Sequence, residues 1–100
     1  MITSIYGFGS YFNGSGYWND IDILIVHDSA DREACLNAIS LKKYIVNEIE
    51  NADVSILSKS TEVEFDFIAK SHASLLFEFE GDFSGTMIRE IVNALIFFQK

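Results

Sequence analysis

Apolar positions fall in short dense runs separated by polar turns, and the period of the pattern changes along the chain. Residues 3–9 read as a short first strand, carried by Ile5-Tyr6-Gly7-Phe8. Residues 20–27 read as a second strand; beyond Asp22 it is apolar on both faces, as a central, buried strand would be. A stretch over 30–49 then changes to helical spacing. Ala34, Ala38, Leu41, Ile45 and Ile49 recur every three or four residues and form the core face of an amphipathic helix, with Ser29 as its cap and Lys42 and Lys43 on the outer side. Val54-Ser55-Ile56-Leu57 predicts a third strand with Asp53 at its head. Residues 62–71 alternate like a strand, yet Thr61-x-x-Glu64 has the form of a capping box, and a helix is the preferred reading. Ser74 to Phe79 predicts a fourth strand. Ser84-Gly85-Thr86 then opens a last helix to Gln99, whose Ile88, Ile91, Val92, Leu95, Ile96 and Phe98, extended by Phe97, give a wide apolar face. The expected fold class is α/β of the α+β kind: a small mixed β-sheet with helices packed on it, in a single domain over 1–100.

The candidate chemistry lies between the first two strands. A Gly9-Ser10 turn follows the first apolar run, and Asp20 and Asp22 open the second. On a strand, period two places both aspartates on one face, about 6–7 Å apart. Two carboxylates at that separation repel each other, and a cation, a shared proton or open water must relieve them. A glycine lets backbone approach phosphate oxygens closely, while turn N–H groups and a serine hydroxyl offer them neutral donors. Either feature alone is an ordinary turn or a solvated strand end. Their order, between two apolar strands, favours a site.

The run Gly9-Ser10-x-x-x-Gly14, followed by Asp20-Ile21-Asp22, resembles the signature of the nucleotidyltransferase superfamily, which has the polymerase-beta-like fold. The resemblance implies that Gly9 and Ser10 hold the phosphates of a nucleoside triphosphate, ATP first among them. It implies that Asp20 and Asp22 bind magnesium (Mg2+), in a two-metal site completed by a third carboxylate on the next strand. Asp53 is the first choice for that carboxylate and Asp66 its rival. The implied reaction moves a nucleoside monophosphate from the triphosphate to a hydroxyl acceptor. Small members of this kind include antitoxins of toxin–antitoxin pairs, whose acceptor or target is a partner protein. A non-catalytic interaction module of the same fold and a small-molecule nucleotidyltransferase are the alternatives. This chain departs from many relatives just after the turn, where Tyr11-Phe12-Asn13 stand in place of a basic residue.

Charge and cysteine content narrow the partners. The net charge is −8, and no Lys or Arg occurs within residues 1–31. A chain without a basic stripe is poorly suited to neutralise a nucleic-acid backbone, so a long DNA or RNA acceptor is not expected. A triphosphate here relies on metal, on backbone donors, or on basic groups of a partner. No apolar run is long enough to span a membrane, no secretion signal is visible, and Cys35 is the single cysteine, which together suggest the cytoplasm. The surplus apolar face of the last helix suggests assembly, as a homo-oligomer or with another protein. Tyr11, Phe12, Tyr17 and Trp18 either stack on a base or pack a short helix onto the sheet. His72 reads as a surface or capping residue, with a ligand or base role as the alternative.

Overall fold

A computed structural model describes residues 2–9, 12, 20–29, 31–81 and 85–97; in the last segment the described side chains are those of 87 and 89–94. Ser10, Tyr11 and residues 13–19 lie outside the described residues, as do the side chains of Ile96 and Phe97 and all of Phe98. The elements run β1 (Ile2–Phe8), β2 (Ile21–His27), α1 (Arg32–Glu48), β3 (Ala52–Ser58), α2 (Lys59–Phe65), α3 (Phe67–Ser71), β4 (Ser74–Glu80) and α4 (Gly85–Phe97). The strands form one mixed sheet in the order β3-β2-β1-β4. β1 is antiparallel to both β2 and β4, while β2 and β3 are parallel, joined by α1 as a crossover helix. The α+β class and the mixed sheet expected from the pattern are both present.

Register divides the sheet into two faces, because residues directly opposite one another share a side. On one face Ile5 stands opposite Ile25, and Ile23 and Ile25 stand opposite Val54 and Ile56. This face packs on α1 through Ala38, Leu41 and Ile45, with Ile49 just past the helix and Ile91 of α4, to form the core. The stripe predicted for α1 is therefore its buried face. Leu36, Ile39, Tyr44 and Val46 of the same helix remain exposed. On the opposite face three rows cross β1, β2 and β3: Phe8–Asp22–Asp53, Tyr6–Leu24–Ser55 and Ser4–Val26–Leu57.

Two caps differ from those expected. Asp31, not Ser29, caps α1: its Oδ1 accepts from the Ala34 N–H at 2.8 Å, while the Ser29 hydroxyl donates to its Oδ2. An aspartate outcompetes serine here because its charge also favours the positive helix end. Those hydrogen bonds hold the Asp31 carboxyl below the usual carboxylate range. The stretch over 62–71 is helical, as preferred, but it is two helices broken at Asp66, which is left-handed at φ 55°. Ser58, rather than Thr61, caps the first of them, accepting from the Thr61 N–H, and Glu62 reaches forward to the Ile68 N–H at 3.0 Å.

Candidate functional site

The site begins where β1 ends. Gly9 adopts φ +79°, and its carbonyl accepts from the Phe12 N–H at 3.2 Å, which turns the chain sharply back. A side chain here would collide: a Cβ on Gly9 would stand 2.4 Å from Asp22 Oδ2. Glycine thus serves two needs at once, a left-handed backbone and contact with a carboxylate. The Phe12 ring lies against Gly7, whose hydrogen leaves the room it occupies, and packs on the core. Of the two readings of the aromatic segment, packing holds for Phe12; Tyr11, Tyr17 and Trp18 lie outside the described residues.

Asp22 and Asp53 are register partners on adjacent parallel strands, and Asp20 lies two positions before Asp22. Ile21 N–H donates to the Asn51 carbonyl at 2.9 Å, which ties the heads of β2 and β3 together just below the acids. Asp22 is half-buried; Asp20 and Asp53 are exposed. Burial first, then the carboxylates of Asp53 and Asp20, raise the Asp22 carboxyl above its ordinary value. Each cause disfavours the ionised form, and a cation placed among the three would reverse the balance. Hard oxygen donors of this kind suit magnesium. Among the described residues no three His, Cys, Asp or Glu side chains stand as a ready-made metal-holding group, so joint ligation requires the exposed Asp20 and Asp53 side chains to turn. Asp66, the rival third carboxylate, is the left-handed break between α2 and α3, and Asp53 is the one brought beside Asp22. Gly9 is in place, and Ser10 lies outside the described residues.

Compared with family models, curated proteins and solved structures, the chain matches none of them. What the site can do follows from its own chemistry. A glycine turn touches one carboxylate of an acidic group at the end of three strands, on the sheet face that α1 does not cover.

Two recesses border β1, and neither was evident from the sequence. One, of about 180 Å³, lies along the same sheet face between Ser4, Tyr6, Asp28, Lys59, Glu62 and Glu78. Ser4 Oγ donates to Glu78 Oε2 at 2.9 Å. Burial, then Glu78 and Glu62, raise the Tyr6 phenol and keep it protonated. The second, of about 260 Å³, opens beside the turn between Phe8, Gly9, Phe12, Ser71, His72 and Ser74. The polar alternation of Ser4 and Tyr6 within an apolar strand was the available signal for the first. The second joins residues more than 60 positions apart and left no local trace. The other histidine, His27, is buried at the end of β2, its Nδ1 donating to the Ser29 carbonyl at 2.5 Å, and its role is structural.

No described helix is long and apolar enough to cross a membrane. The expected assembly through Ile96, Phe97 and Phe98 falls on side chains outside the described residues. Within α4, Ile91 is buried and Val92 packs against the core, so part of the apolar face is used internally.

Proposed function

We propose that this chain is a nucleotidyltransferase-type domain that moves a nucleoside monophosphate, AMP from ATP first among candidates, to a hydroxyl acceptor, with a partner protein as the expected acceptor. The observation that carries the reading is the row Asp22–Asp53, with Gly9 against Asp22 Oδ2 and Asp20 adding its field. Asp20, Asp22 and Asp53 would hold magnesium, which when bound supplies positive charge at the phosphates. Gly9 presents its backbone to the phosphates while its missing side chain leaves room for Asp22. Asp53, exposed at the head of the edge strand β3, takes the proton of the acceptor hydroxyl. The hydroxyl oxygen attacks the α-phosphorus in line, the bond to the bridging oxygen breaks, and pyrophosphate leaves.

A non-catalytic module that keeps the fold is the second reading. The lack of a compact three-ligand group among the described residues favours it. The two separate on Asp53→Ala. In a transferase this change abolishes pyrophosphate release with acceptor present while nucleotide affinity stays within about threefold, since Asp20 and Asp22 would still hold the metal at the phosphates and Asp53 serves the acceptor side. Wild-type protein that binds nucleotide but releases no pyrophosphate with any hydroxyl acceptor supports the module. Loss of release in Asp66→Ala but not Asp53→Ala would assign the third carboxylate to the other residue.

A further inference from the structure

The sequence places no basic side chain beside the turn, where Tyr11-Phe12-Asn13 follow it, so beyond a bound metal the terminal phosphates need other donors. The fold brings an ionisable nitrogen base to the same place from far along the chain. β4 is antiparallel to β1 with Ser74 opposite Gly7, so the link between α3 and β4 arrives beside the end of β1. That link is His72-Ala73. His72 is left-handed at φ 56°, a conformation uncommon for a side-chain-bearing residue, and its N–H closes α3 onto the Ala69 carbonyl. His72 is exposed and lines the recess of about 260 Å³ together with Gly9, Ser71 and Ser74. Phe8 and Phe12 form its apolar walls, but both rings are engaged: Phe8 meets Phe67 edge-on at 5.1 Å between centroids, and Phe12 lies on Gly7. The recess therefore offers hydroxyls, an imidazole and a glycine backbone rather than an open aromatic platform for a base.

We infer that this recess receives the terminal phosphates of the nucleotide, with the His72 ring supplying an N–H donor where the turn's sequence lacks a basic side chain. The inference rests on the nucleotide reading above and adds to it a phosphate-binding residue. An imidazole donates from a ring N–H, and ionised phosphate oxygens accept such charge-assisted bonds strongly. Ser71 and Ser74 add hydroxyl donors on the same side. β2 and β4 lie on opposite sides of β1, so phosphates lying at the turn would have the carboxylates with their metal on one side and the His72 ring with its serine neighbours on the other.

The test uses the whole chain, isotopically labelled, in magnesium-containing buffer, with NMR titration of inorganic tripolyphosphate, ATP and adenosine. The chain has two histidines, and buried His27 serves as an internal control. The expected result is a saturable shift of the His72 ring signals with tripolyphosphate and with ATP, none with adenosine, and none at His27. His72→Asn keeps a residue that tolerates the left-handed backbone, and it should weaken both phosphate ligands by about tenfold, the loss of one charge-assisted hydrogen bond. ATP binding that leaves His72 unmoved, or an unchanged affinity in His72→Asn, overturns the inference while the nucleotide reading stands. A shift of His72 with adenosine alone also overturns it, by making the recess a base pocket. Wild-type protein that binds neither tripolyphosphate nor ATP removes the nucleotide reading and this inference together.

Discussion

The two faces of the sheet are built from the same strands and serve opposite ends. The face under α1 carries Ile5, Ile23 and Ile25, all fully buried, and packs with α1 and with Ile91 of α4. The other face carries Phe8, Asp22 and Asp53 in one row and Ser4, Tyr6 and Ser55 in the next two, beneath the small helices α2 and α3. The first face is stabilised by burial. The second also buries Leu24 and Val26, but at its end burial, then the carboxylates of Asp53 and Asp20, raises the Asp22 carboxyl. A raised carboxyl at the end of a well-packed sheet is a common mark of a functional site.

The largest expected effect breaks the supporting face. Ile23→Ala should cost about 2–5 kcal/mol, the range for emptying a fully packed aliphatic site, measured by urea unfolding. A cost of a few tenths of a kcal/mol would mean that this face is not the structural one. Next comes the turn. Gly9→Ala must adopt an unfavourable backbone and push against Asp22, so it should cost about 1–2 kcal/mol and disturb any ligand held there. A variant as stable as wild type would show that the turn can be rebuilt without closing on the carboxylate.

Asp22→Asn should move stability the other way. A carboxyl raised in the folded chain binds more protons there than when unfolded, between its unfolded and its folded values. Stability contributed by protonation is thus lost as pH rises through that interval. The variant should be more stable than wild type at neutral pH by at most about 1 kcal/mol, given solvent screening, with a flatter profile through the mildly acidic range. A variant less stable at neutral pH would mean that Asp22 carries a structural bond. The smallest effect belongs to the exposed side of α1: Ile39→Gln should change monomer stability by no more than about 0.5 kcal/mol. A change in mass by light scattering in that variant would instead identify this helix face as an assembly surface.

The supporting face was readable because burial imposes a period. The spacing of Ala34, Ala38, Leu41 and Ile45 states which side of α1 is covered, and the apolar run from Ile23 to Val26 marks a strand buried on both faces. The acidic pair was readable because Asp20 and Asp22 interrupt that pattern at one strand end. Asp53 was harder, since its pairing with Asp22 depends on the register of two strands separated by a whole helix. The caps went astray for a local reason: Ser29 and Asp31 compete for one helix end, as Ser58 and Thr61 do for another, and the winner depends on where the strand before it releases the chain. Tyr6, Glu62 and Glu78 were not legible as neighbours, because α2 and β4 bring them to β1 only in three dimensions; His72 was readable as a capping residue or a ligand, but not its place beside Gly9.

The central claim is that the acidic row and the Gly9 turn form one magnesium-dependent nucleotide site. Isothermal titration calorimetry of ATP into wild type and into the double variant Asp20→Asn, Asp22→Asn, with and without magnesium, tests it most directly. The expected result is saturable binding by wild type that requires magnesium, and none by a double variant whose circular dichroism is unchanged. Equal affinity in the two proteins, or wild-type binding indifferent to magnesium, would contradict the account.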